Sequence, residues 1–120
     1  MIKILIIEDD KNIVDLLELE LRKQYRVISA YDGEAGLIKY FQEKPDLIIL
    51  DIGLPKLNGY EVCRRIRQKR DYRTLIVMLS ARAQEADQIV GRVIGAQKYL
   101  TKPFEIDSLL NEITKLLQSV

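Results

Sequence analysis

The sequence predicts an α/β fold: a three-layer sandwich in which a five-stranded parallel sheet lies between five alternating helices. Two observations carry this. Short runs that are apolar throughout alternate along the chain with segments whose apolar residues recur at helical spacing. Turn and cap residues fall between them. A run apolar on both faces suits a strand covered by helices on either side, as parallel sheets require. Right-handed crossovers then join the strands.

The elements follow in order. Ile4 to Ile7 is the first apolar run, and the helix after it carries Ile13, Leu17 and Leu21 in one stripe, with Asp15, Glu18 and Arg22 off it. Tyr25 to Ala30 is a second, less apolar strand, closed by Asp32-Gly33 before a helix near Glu34 to Glu43. Lys44-Pro45 stops that helix, and Leu47 to Leu50 is the third strand. Leu54-Pro55 and Asn58-Gly59 mark turns ahead of a helix over Tyr60 to Lys69. Leu75 to Leu79 is the fourth strand, Ala86 to Ile94 a helix ended by Gly95, and Lys98 to Leu100 the fifth strand. Ile106, Leu109, Leu110, Ile113, Leu116 and Leu117 form the stripe of a final helix. With no repeat, low-complexity stretch or linker, residues 1–120 read as one domain.

Composition narrows the chemistry. Apolar residues make up 48% of the chain, enough for a core without covalent staples, and the net charge is only +1. That balance argues against direct nucleic-acid binding, which usually shows a clustered basic excess. The basic run Arg64, Arg65, Arg67, Lys69, Arg70 and Arg73 lacks interleaved aromatics and reads as a solvated helix face and loop. Cys63 is the only cysteine, so no intrachain disulfide can form; it reads as a small packed apolar residue and fits a cytoplasmic location. The first apolar run is too short for a signal peptide or a membrane span. Histidine is absent, which excludes Ser-His-Asp and Cys-His nucleophilic sites and any His-ligated zinc site.

In an open parallel sheet, ligands bind beyond the carboxyl ends of the strands. Glu8, Asp9 and Asp10 follow the first apolar run, Asp51 the third, Ser80 the fourth, and Thr101, Lys102 and Pro103 the fifth. Asp10 reads as the cap of the first helix. Gathering Glu8, Asp9 and Asp51 requires opposite charge, since two unit charges ~4 Å apart repel by ~4 kcal/mol at an effective dielectric near 20. Lys102 supplies one such charge, and a divalent cation is the natural other. Oxygen donors without imidazole or thiolate favour Mg²⁺, and a carboxylate beside Mg²⁺ can accept a phosphoryl group covalently.

Four blocks taken together carry a family resemblance: Ile-Ile-Glu8-Asp9-Asp10; Leu-Ile-Ile-Leu-Asp51-Ile-Gly-Leu-Pro55 with Asn58-Gly59; Leu79-Ser80-Ala81; and Tyr99-Leu-Thr-Lys102-Pro103-Phe104. In this order and spacing the chain resembles, over its whole length, the receiver domain of two-component response regulators. The resemblance implies a flavodoxin-like strand order 2-1-3-4-5. It implies Asp51 as phosphoacceptor, Asp9 as direct Mg²⁺ ligand with Glu8 acting mostly through water, and the Gly53 backbone carbonyl as a further ligand. It implies Ser80 as the switch hydroxyl, Lys102 as the lysine that pairs with the phosphoryl oxygens, Tyr99 as the aromatic that moves inward, and a cis Lys102–Pro103 bond. The implied partners are a sensor histidine kinase or phosphotransfer protein and a downstream effector domain or protein. Such a module is no enzyme, catalysing only its own phosphorylation and dephosphorylation.

Several positions depart from the family's common pattern. Gly53 has no side chain where many receivers carry one that tunes phosphoryl lifetime, Ser80 replaces the commoner threonine, and Gln97 and Lys98 stand where many DNA-binding regulators carry acids. Of the ion pairs with which such regulators dimerise, one becomes Gln88 and Ser108, one Gln97 and Ser119, and one Lys98 and Glu112 with its signs exchanged. The expected state is a monomer, or a weak dimer on activation. The competing reading is a pseudo-receiver that binds partners without phosphorylation; joint retention of Asp9, Asp51, Ser80 and Lys102 speaks against it. A haloacid-dehalogenase-type phosphatase needs a second Asp where Gly53 stands, and no glycine-rich loop supports nucleotide binding.

Overall fold

In the apolar strands alternate residues point to opposite faces, and that alternation divides the core in two. The computed structural model describes residues 1–81 and 95–118. In it, β1 (Lys3–Ile7), β2 (Arg26–Ala30), β3 (Leu47–Asp51), β4 (Leu75–Ser80) and β5 (Lys98–Thr101) form one sheet of order β2-β1-β3-β4-β5, parallel throughout. The described helices are α1 (Lys11–Leu21), α2 (Gly33–Glu43), α3 (Gly59–Gln68) and α4 (Ile106–Gln118). The helix expected over Ala86 to Ile94 lies outside the described residues.

Ile4, Ile6, Leu47, Ile49, Val77 and Leu79 face one side, where Val14, Leu17 and Leu21 of α1 and Leu109 and Ile113 of α4 cover them. Leu5, Ile7, Ile48, Leu50, Ile76 and Met78 face the other, under Leu37 and Tyr40 of α2 and Val62, Cys63 and Ile66 of α3. Burying a side chain of this size is worth roughly 1.5–3 kcal/mol each, so these two layers dominate the stabilisation of the fold. Cys63 is fully buried, as its small apolar character implies. The α4 stripe divides: Leu109 and Ile113 are buried, whereas Ile106, Leu110, Leu116 and Leu117 flank the cluster half-covered.

Short polar side chains start the helices. Asp10 Oδ1 accepts from the Asn12 N–H (2.9 Å), Asp32 Oδ1 from Ala35 (2.8 Å) and Asn58 Oδ1 from Glu61 (3.0 Å), each satisfying an orphan first-turn donor. Asp51 and Ser80, expected just beyond their apolar runs, are the last residues of their strands: Asp51 pairs with Leu79, and Ser80 with Thr101. The backbone ladder continues through them because it needs only N–H and C=O groups, whatever the side chain.

Candidate functional site

Strand register assembles the site. Ile7 at the end of β1 lies beside Leu50 in β3, so Glu8 and Asp51 emerge at the same edge. Backbone bonds from Ile52 N to Leu79 O (3.0 Å) and from Lys102 N to Ser80 O (2.6 Å) hold the segments after β3 and β5 against β4. Gly59, the first residue of α3, packs so closely under this edge that a Cβ there would lie 2.3 Å from the Asp51 carbonyl oxygen. Only glycine fits that approach.

Oxygens of Glu8, Asp9 and Asp51 come within 4.8 Å of one another. Glu8 is fully buried, Asp51 is 5% exposed and Asp9 is exposed. Lys102 reaches into the cluster, its Nζ 2.6 Å from Glu8 Oε1 and 3.2 Å from Asp51 Oδ1. The Asp10 N–H donates to Glu8 Oε2 at 3.0 Å. Glu8 Oε1 is held by the Lys102 ammonium in a close, buried ion pair. Burial pushes the Glu8 carboxyl above the usual carboxylate range, against the lowering pull of Lys102, with Asp51 adding to the rise. Burial would depress the Lys102 ammonium, but Glu8 and Asp51 outweigh it, and its pKa is raised. Among the described residues the site is thus an acidic cluster paired with Lys102, its all-oxygen donors suited to a hard divalent ion.

Around this centre, Ser80 is buried at the end of β4 and Tyr99 is half-buried in β5, its hydroxyl 3.5 Å from that of Tyr60 in α3. Gly53 is exposed, with no atom within 4 Å of where a Cβ would stand, and its N–H approaches Asp51 Oδ1 at 3.4 Å. The Lys102–Pro103 peptide is cis. Glu8, Asp9, Asp51, Gly53, Ser80, Tyr99 and Lys102 therefore lie at or beside one edge of the sheet.

Other polar residues matter in ways the sequence left unmarked. Arg67, read as part of a solvated basic face, instead donates to Gly95 O (3.0 and 2.8 Å), Asp71 O (2.7 Å) and Gln97 Oε1 (3.1 Å). Gln97 Oε1 also accepts the Ile76 N–H at 2.7 Å, so Arg67 and Gln97 tie α3 to the approach of β5. Spacing offers no sign of such a long-range clamp. Arg64 and Arg65 do lie on an exposed face, paired with Glu61. Lys98 and Glu112 meet within one chain at 3.6 Å, while Gln88 and Ser119 lie outside the described residues. Among the described residues, no helix is long and apolar enough to cross a membrane.

The response regulator receiver domain family matches residues 4–114. The response regulator ArlR of Staphylococcus aureus is 44% identical over 119 residues, which cover 98% of this chain and 53% of that protein, so the chain spans about half the length of the curated relatives it matches. The Francisella response regulator 1452 receiver domain superposes with a TM-score of 0.93 at 28% identity, covering 99% of this chain and 98% of that one. The response regulator TrrA of Thermotoga maritima, solved in complex with Mg²⁺ and BeF, does so with a TM-score of 0.85 at 35% identity, covering 97% and 99%. Family, fold and the acidic edge agree, and the chain belongs to the receiver domain family of two-component response regulators.

Proposed function

We propose that residues 1–120 act as a phosphorylation-switched receiver domain in which Asp51 accepts a phosphoryl group. The observation that carries this is the convergence of Asp51 with Lys102, Glu8 and Asp9 at the end of the sheet. The donor is a phosphohistidine of a sensor kinase or phosphotransfer protein. An Asp51 carboxylate oxygen forms the new O–P bond as the N–P bond of the donor breaks, and the electron pair leaves with the imidazole. Lys102, already 3.2 Å from Asp51, neutralises charge on the transferred group.

Glu8, Asp9, Asp51 and the Gly53 carbonyl are the groups that would hold Mg²⁺. The fit rests on three clustered carboxylates, two of them buried, that offer only oxygen donors. A bound Mg²⁺ would supply positive charge toward the phosphoryl oxygens. The acyl phosphate places about two negative charges beside Ser80, whose hydroxyl donates to it. Tyr99 then moves toward the space behind Ser80, and its packing against Tyr60 changes the surface offered to an effector. The module is a signalling switch without turnover of external substrates, consistent with the absence of a second acid at Gly53.

Acetyl phosphate with Mg²⁺ tests the assignment. Intact-mass measurement is expected to show one phosphoryl group on the wild type and none on Asp51→Asn. Full labelling of Asp51→Asn would refute it, and an unlabelled wild type would favour the pseudo-receiver.

A further inference from the structure

The opposite edge of the sheet carries a second concavity. Asp46, just before β3, lies about 16 Å from Asp51 along the strand, at ~3.3 Å per residue. A cavity of about 780 Å³ opens there, where β1, β3 and β4 begin. That is within the range of roughly 300–1,000 Å³ typical of small-molecule sites. Ile2, Leu75 and Leu117 contribute apolar lining, and Phe41 adds an aromatic ring that is 50% exposed.

The charges of this cavity are unequal in what they have left to offer. Asp71 is saturated: Oδ1 accepts from the N–H groups of Arg73 and Thr74 (both 3.0 Å), and Oδ2 from the hydroxyls of Thr74 (2.6 Å) and Tyr40 (2.5 Å). Asp46 Oδ2 accepts the Lys3 N–H at 2.8 Å. Both acids serve the fold but keep their charges, so an anion would depend on three cations outnumbering two carboxylates. Lys44, Lys69 and Arg73 also line the cavity, are exposed, and form no ion pair among the described residues. The Lys69 ammonium lies 5.9 Å above the Phe41 ring, so a cation and an exposed aromatic face share one mouth.

We infer that this cavity is a second ligand site, for a small organic anion: one carboxylate, sulfonate or phosphate on a flat apolar body. The body lies on Phe41 and the apolar lining, and the anion is met by Lys44, Lys69 and Arg73. A nucleic-acid strand would need a basic groove with several stacking rings along it, whereas among the described residues one exposed ring, Phe41, lines one half-open concavity. The site is independent of phosphorylation at Asp51 and stands or falls by its own test.

That test is an amide-shift NMR titration of the isotope-labelled protein with naphthoate and with its uncharged counterpart naphthamide. Naphthoate is expected to give saturable shifts centred on Ile2, Phe41, Asp46 and Leu75, and to bind about tenfold more tightly than naphthamide, as two or three exposed charge contacts allow. Lys69→Gln and Arg73→Gln are each expected to weaken naphthoate about threefold. Arg73→Gln should leave naphthamide binding unchanged, and neither variant should alter the melting temperature. Equal affinity for the two probes, shifts centred elsewhere, or no saturation would each overturn the assignment.

Discussion

Removing the Asp51 charge is expected to stabilise the metal-free protein, and the structure allows the sign to be worked out. At an effective dielectric near 20, the Glu8–Asp51 repulsion at the 4.8 Å limit is ~3.5 kcal/mol, and the Lys102–Asp51 attraction at 3.2 Å is ~5 kcal/mol. Asp9 is exposed, so water reduces its repulsion of Asp51 to ~1 kcal/mol. These Coulomb contributions cancel to within ~1 kcal/mol. Desolvation therefore decides: Asp51 is only 5% exposed, and burying a carboxylate costs several kcal/mol more than burying an amide. Asp51→Asn should then be more stable by ~1–3 kcal/mol in chelator, raising the melting temperature by roughly 4–12 °C for a domain of this size. Added Mg²⁺ should narrow the gap, because a ligand that binds only the folded wild type stabilises it by mass action. Thermal melts in chelator and across a Mg²⁺ series measure both effects. An Asp51→Asn protein that melts at or below wild type in chelator would show that Lys102 compensates the cluster fully, and the reasoning would fail.

Further outcomes follow from single contacts. Asp71 is held at about 2; burial opposes this, but hydrogen bonds from Thr74, Tyr40 and Arg73 prevail. Its folded pKa lies below the unfolded value, so its stabilisation is present above 3.8 and lost as pH falls toward about 2. Discounted for solvent screening, wild type should exceed Asp71→Asn by ~1–2 kcal/mol at neutral pH, and urea melts down the pH scale should show the gap closing in that window. Gly59→Ala should cost at least ~2 kcal/mol and slow labelling by acetyl phosphate, whereas Gly53→Ala, with open space around it, should stay within ~0.5 kcal/mol. Equal stability of these two glycine variants would contradict the described packing. Arg67→Lys should lose ~1–3 kcal/mol because one ammonium cannot bond Gly95, Asp71 and Gln97 together; an unchanged denaturant midpoint would remove the clamp from the account. Light scattering is expected to show a monomer without phosphorylation and at most a weak dimer with beryllofluoride and Mg²⁺, since Lys98 and Glu112 already satisfy each other within one chain. A tight dimer in both states would count against this.

The sequence by itself determined the layers and which charged residues share one edge of the sheet. Runs such as Leu47–Leu50 are apolar on both faces, and that can only be accommodated between two covering layers. Acids and a lysine placed at the ends of such runs must then meet, because every strand of a parallel sheet ends at the same edge. Caps at Asp10, Asp32 and Asn58 are local interactions, spanning two or three residues, and spacing alone exposes them. Long-range partners were a different matter. Arg67 sits in a basic run that looks solvated, and its bonds to Gly95 and Gln97 bridge 28 and 30 residues of chain. Likewise, Lys102 could be expected near Asp51, but its tighter approach to the fully buried Glu8 depends on packing. The distal cavity, which gathers Lys44, Lys69 and Arg73 from separate segments, left no mark in the sequence at all. Periodicity records which face of an element is buried; which polar atoms meet across elements is decided only when the core fixes their distances, because hydrogen bonds and ion pairs weaken within an ångström or so of misplacement while apolar burial does not.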